Sequence, residues 1–185
     1  ILKRLALIDI LTVAVGYILR VYAGEAVTGF HLSVWLMLAV VSLSLFLAIG
    51  KRRSELTILA AYDLALQSKI RASLSHYSEK LLDIYLSMFA NSTWITYAFY
   101  TFLERPQAPG KKITEALWFP ASLAERKWLM VTVPFVIYGL MRYTQLIYEG
   151  QKGESPERVL LSDRPLLLTV ILWILTVVGV IYFII

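Results

Sequence analysis

The stretch PLLLTVILWILTVVGVIYFII, Pro165 to Ile185, runs for 21 residues without a charged side chain. At a rise of about 1.5 Å per residue, about 20 helical residues cover the roughly 30 Å hydrocarbon core of a bilayer, so this segment alone is long enough to cross. A second uncharged run of 20 residues extends from Ile84 to Leu103, and a third of 19 from Leu32 to Gly50. Two further apolar stretches, Leu5 to Gly24 and Trp128 to Tyr148, carry internal charge. None shows the period-2 alternation of a barrel strand, and only helices or closed barrels satisfy every backbone amide in lipid. The sequence therefore predicts an all-α transmembrane fold. Residues 1–185 form a single integral membrane domain, with spans at about 5–24, 32–50, 84–103, 128–148 and 165–185.

Composition supports the same reading. Of 185 residues, 58% are apolar and 17% charged, with a mean hydropathy of +0.67. Soluble domains run at roughly 45 to 50% apolar and 25% charged, so the excess must face something other than water. Small disulfide scaffolds, disordered tails and free nucleic-acid binders are excluded. There is no Cys, hence no disulfide framework and no thiolate metal site. The first residue is Ile rather than Met, which leads us to expect further residues upstream.

The net charge of +5 reads as a topology signal. Lys and Arg number eleven in the N-terminal flank, the 51–80 segment and the 149–165 segment together, against five in the segments that alternate with them. The positive-inside rule then places 51–80 in the cytoplasm and the protein in the plasma membrane. The 51–80 segment has no Gly beyond position 50 and no Pro, and its polar residues recur at near-helical spacing, which predicts an amphipathic cytoplasmic helix or hairpin.

Ionisable residues within spans cost a few kcal/mol and require a partner or a cavity. Asp9, Val13, Gly16, Arg20 and Gly24 share one helical face, which is expected to point into the bundle. Arg142 is placed to snorkel from the fourth span, and Asp83 to cap the third. Ser162-Asp163-Arg164-Pro165 reads as a helix start. Trp94 and Trp173 lie too far inside their spans to be interface anchors. His76 has no second His or acid at metal spacing, and no P-loop, dinucleotide fingerprint or nucleophile elbow is present.

The most informative stretch is Gly50-Lys51-Arg52-Arg53-Ser54-Glu55-Leu56, where the second span leaves the membrane. In a continuing helix Lys51 and Glu55 share a face at i, i+4, and Arg52 and Glu55 are neighbours at i, i+3. Such a cluster can hold a diphosphate, with Lys as a point charge, Arg as a fork and Glu to position a cation or hydroxyl. The same stretch also reads as a stop-transfer clamp with an incidental acid.

Taken in order, Leu2-Lys3-Arg4, Asp9 through Gly16, Arg20 and Gly24, then Gly50 to Leu56, resemble the second half of the UbiA superfamily of intramembrane transferases. Downstream, Ser73-Leu74 with Tyr77-Ser78, Pro134-Phe135 with Arg142-Tyr143, and Pro156-Glu157 with Leu161 and Asp163-Arg164 resemble its decaprenyl-phosphate phosphoribosyltransferase branch. The resemblance covers essentially the whole chain. It implies a five-helix portion of a nine-helix bundle, with Lys3 matching the Lys that opens helix five. It also implies Mg²⁺ as cofactor, phosphoribosyl diphosphate and a polyprenyl phosphate as substrates, and no nucleic acid. The Asn-Asp-rich acidic motif that holds the metal in this family is absent from the chain. The second acidic motif of the prenyltransferases is replaced by Lys51 to Glu55, as in the phosphoribosyl branch.

The resemblance assigns substrate binding to Lys3, Lys51, Arg52, Glu55 and Tyr77 and places no certain metal ligand in this chain. The expected reaction is transfer of 5-phosphoribose to a polyprenyl phosphate, supplying a precursor for cell-wall arabinan. Two other readings stand beside it: a superfamily prenyltransferase acting on an aromatic acceptor, and a non-catalytic membrane bundle. The 185 residues alone are expected to be inactive.

Overall fold

The computed structural model describes residues 6–29, 32–60, 78–104, 127–149 and 156–184. It is all-helical among the described residues. The elements are α1 (Ala6–Thr28), α2 (Val34–Ala60), α3 (Glu79–Leu103), a 3-10 turn (Trp128–Thr132) running into α4 (Val133–Glu149), the short α5 (Pro156–Ser162) and α6 (Arg164–Gly179), which ends in a π turn (Val180–Ile184). Four stretches are long and apolar enough to cross a bilayer: Ile10–Thr28, Val34–Thr57, Trp128–Glu149 and Arg164–Tyr182. The chain is an integral membrane protein. Large apolar side chains such as Leu19, Met141 and Leu175 lie exposed on the bundle surface, as lipid-facing residues do.

The helix over 84–103 is long enough as well, α3 having 25 residues, but Ser, Thr, Asn and Tyr make it more polar than the other four. Thr93, Tyr97 and Thr101 turn to protein, while Ser87 and Asn91 are exposed. With Leu82 and Leu86 they form one buried face, and the helix packs most extensively on α2. Ser92 shares a hydrogen bond of 3.0 Å with Ser42 of α2. Trp173 Nε1 of α6 donates to Tyr97 Oη at 2.9 Å, and Tyr97 Oη lies 2.7 Å from Thr132 Oγ1. Because the Thr132 hydroxyl proton goes to the Leu129 carbonyl at 2.6 Å, Tyr97 must be the donor to Thr132. This directional chain explains why Trp173 sits deep in its span, and Trp94 likewise donates to Asn91 Oδ1 at 3.2 Å. Tyr97→Phe should leave the indole N–H without an acceptor and cost about 1 to 2 kcal/mol, the upper range for hydrogen bonds between membrane helices. An SDS-unfolding titration checks this.

The helices alternate in direction, so α2 ends, α3 begins, α4 ends and α6 begins at one end of the bundle, called here the basic end. The apolar core is concentrated there: Phe46, Ala48 and Ile49 of α2, Leu82 and Leu86 of α3, Leu140, Tyr143 and Ile147 of α4, Val159 of α5, Leu166 of α6 and Ile10 of α1. Gly50 completes the contact between α2 and α4. A Cβ at this position would stand 2.8 Å from Ile147 Cδ1 and 2.9 Å from Tyr143 Cε1. Gly50→Ala should therefore overpack the site by about 1 to 3 kcal/mol. Gly139→Ala is the control, since nothing lies within 4 Å of a Cβ there. Melting in detergent should separate the two variants.

At the opposite end, Gly29 closes α1 at φ +69, the left-handed conformation that glycine adopts without strain, and its N–H donates to the Glu25 carbonyl. Glu25 Oε1 accepts from the Leu32 N–H at 3.1 Å, and Ser33 Oγ donates to Glu104 Oε1 at 2.7 Å, tying α1 to α2 and α2 to α3.

The expected inward face of α1 is corrected. Gly16, Arg20 and Gly24 are exposed, with nothing within 4 Å of a Cβ on either glycine, while Ile10 and Ala14 are buried. Helix α1 packs chiefly on α2, and burying an apolar pair there costs less than burying an unpaired guanidinium. Arg20 instead lies over the Tyr17 ring, 5.6 Å from its centroid. The Asp9 side chain lies outside what is described.

Candidate functional site

Helix α2 continues without interruption through Gly50 to Ala60, so Lys51, Arg52, Arg53 and Glu55 project from a helix, as their spacing predicts. The remainder of the expected cytoplasmic helix, residues 61–77, lies outside the described residues, as do Lys3 and Tyr77. Successive residues on a helix are rotated by about 100°, so the three cations face three directions. Arg52 Nη1 donates to Glu55 Oε2 at 2.5 Å, with the two side chains 19% and 27% exposed, so Arg52 is not turned out into bulk solvent. Lys51 is partly exposed and forms no ion pair among the described residues. It is the cation most available to an anion arriving from outside. The expected pairing of acid and base is present, with Arg52 rather than Lys51 as the partner of Glu55.

Arg53, which the sequence reading did not single out, is the most connected of the three. Its Nε donates to Asp83 Oδ1 at 2.7 Å and its Nη1 to Thr57 Oγ1 at 2.8 Å, while Nη2 stands 3.5 Å from Glu79 Oε2. The guanidinium lies over the Tyr148 ring, 5.1 Å from the centroid, and Tyr148 Oη donates to the same Asp83 Oδ1 at 2.6 Å. Asp83 is therefore not the cap of α3. The helix starts four residues earlier, with Ser78 in the cap position, and Asp83 stands one turn inside, facing α2. The signal that could have revealed this is the pair of acids at 79 and 83, one helical turn apart and opposite a basic helix end.

Arg142 is also corrected. Rather than reaching for solvent, it grips Asp163 with two bonds, Nε to Oδ1 at 3.2 Å and Nη2 to Oδ2 at 2.7 Å. Asp163 caps α6, its Oδ1 accepting from the Leu166 N–H at 2.9 Å. The ion pair thus ties the start of α6 to α4.

A groove of about 480 Å³ lies between α3 and α4. Asp83 and Tyr148 are among its lining residues, and Leu86, Ala90, Trp94, Ile137, Leu140 and Met141 supply apolar walls. Lys51, Arg52 and Glu55 do not line it. Among the described residues no three His, Asp or Glu side chains converge as a metal site, so these helices do not by themselves fit Mg²⁺.

The chain is 33% identical to the decaprenyl-phosphate phosphoribosyltransferase of Mycolicibacterium smegmatis, over 98% of its own length and 53% of that protein. It is 30% identical to the protein of the same name from Corynebacterium glutamicum, over 97% of the chain and 48% of the relative, and 32% identical to that of Mycobacterium tuberculosis, over 98% and 53%. The chain is a homologue of these phosphoribosyltransferases. It spans about half the length of the curated relatives it matches. No family model matches it. The homology runs through every helix, so the basic end of α2 and the Arg53 cluster both lie inside the aligned region.

Proposed function

We propose that this homologue forms part of a membrane transferase that moves 5-phosphoribose from phosphoribosyl diphosphate to a decaprenyl or similar polyprenyl phosphate. The observation that carries the reading is identity of about a third along 98% of the chain to transferases that share one activity in their names. The basic end supports it chemically. In such a transfer a phosphate oxygen of the lipid attacks C1 of the ribose as the C1–O bond to diphosphate breaks, and the departing diphosphate carries away the electron pair. Fixed cations aimed at the leaving group lower that barrier. Lys51 would meet the diphosphate as a point charge and Arg52 as a fork held in place by Glu55. Lys3 and Tyr77 are proposed to reach the same mouth. Mg²⁺, if this homologue uses it as the resemblance implies, would be held by acidic residues outside these helices and would supply further charge neutralisation.

The basic end is proposed to face the cytoplasm, following the charge bias, so neither substrate need cross the membrane. Helix α3 is proposed as the fifth span, its polar face shielded by α2 and the start of α4. The decisive experiment offers labelled phosphoribosyl diphosphate and polyprenyl phosphate to membranes containing the full-length protein. Label should enter the lipid phase. A prenylated aromatic product with no labelled lipid would overturn the reading in favour of an aromatic prenyltransferase. The 185 residues on their own should give no turnover, and detectable turnover by them would contradict the assignment of metal binding to residues elsewhere.

A further inference from the structure

We propose that Arg53, Asp83 and Tyr148 are positioning residues that set the rotation of α2 about its own axis and so aim Lys51 and Arg52. Arg53 follows Arg52 directly and Lys51 by two residues, yet is 11% exposed, and it is bound to α3 through Asp83 and Glu79 and to α4 through Tyr148. Two carboxylates surround one guanidinium, so this cation adds no net positive field to the mouth. Its contribution is geometric.

The apolar core beneath, from Phe46 and Ile49 to Leu86 and Ile147, already holds the three helices together at this end. Apolar contacts resist turning of a helix only through close packing, of which Gly50 against Tyr143 and Ile147 is an example, and carry no bond direction of their own. The cluster is directional. A planar fork held at Nε by one carboxylate oxygen, at Nη1 by Thr57 and from below by an aromatic ring admits one orientation. Since Tyr148 donates to the same Asp83 oxygen, turning α2 would break bonds to α3 and α4 together. A rotation that moved Arg53 off Asp83 would carry Arg52 and Lys51 through the same angle, and misplacement by about 1 Å can cost on the order of a hundredfold in rate.

The kinetic part of the test rests on the function proposed above. In the full-length protein, Arg53→Lys keeps the charge and loses the fork. It should lower kcat about tenfold or more, with the detergent melting temperature close to the parent. Asp83→Asn should act in the same direction, and the swap Arg53→Asp with Asp83→Arg should recover part of the lost turnover. A kcat unchanged in both single variants, or a loss of activity that tracks the loss of folded protein, overturns the proposal. If the parent protein transfers no phosphoribose at all, the functional reading fails separately, and the geometry is read without turnover. These 185 residues hold no Cys, so with any Cys elsewhere in the full-length protein replaced, Lys51→Cys can be labelled with a water-soluble maleimide. Adding Arg53→Lys should change its labelling rate several-fold, and an identical rate in both backgrounds sinks the positional claim.

Discussion

Arg52→Ala in the full-length protein is expected to lower turnover by about 10²-fold or more while leaving abundance in the membrane unchanged. Lys51→Ala should do the same. Both residues sit at the basic end of a helix whose packing is carried by other side chains: Gly50 against Tyr143 and Ile147, and Arg53 against Asp83. Removing either cation therefore takes away charge proposed to act on a leaving diphosphate without opening the core. Glu55→Ala should lower turnover as well, because it releases the fork that it holds at 2.5 Å. A non-catalytic bundle predicts the reverse pattern, with insertion or abundance altered and no turnover to lose. Assays at matched protein levels distinguish the two.

Asp163→Ala carries the largest expected effect on stability. Two losses combine. The ion pair to Arg142 is broken, a pair that solvent already screens on the Arg142 side. The helix cap on Leu166 N–H adds about 1 kcal/mol. Asp163→Asn separates the contributions, since Asn is an equally good cap but a poor partner for guanidinium. It should recover the cap and leave only the loss of the ion pair. Equal destabilisation by Ala and Asn in an SDS titration would show that the cap contributes nothing.

The long uncharged runs were readable because length and apolarity are local properties of a sequence, and α1, α2, α3, α4 with its 3-10 turn and α6 each overlap one of them. The start of α6 was equally legible, since Asp163 and Pro165 are chemical punctuation for a helix start. The partner of each intramembrane charge was not. Asp83 read as a cap because its spacing from Glu79 marks an acidic face without identifying Arg53, thirty residues earlier, as the group opposite it. Arg142 read as a snorkelling cation because Asp163 approaches only when α6 folds back beside α4. On α1 the periodicity of Asp9, Gly16 and Arg20 identified a face correctly but not its direction, which depends on which neighbour is present to receive it. At the candidate site, the neighbour relation of Arg52 and Glu55 followed from helical spacing alone, whereas the role of Arg53 required three helices at once.

The Trp173–Tyr97–Thr132 relay and the Arg53 cluster give the two halves of the bundle different glue. One end is held without an ion pair among the described residues, by the neutral relay and by the Glu25 and Glu104 carboxylates accepting from an N–H and a hydroxyl, so ionic strength should change it little. The other is clamped by formal charges near the headgroup layer, where counterions compete. Rising salt should therefore soften the bundle from one side only, with tryptophan fluorescence from Trp173 staying constant while the α2 terminus loosens.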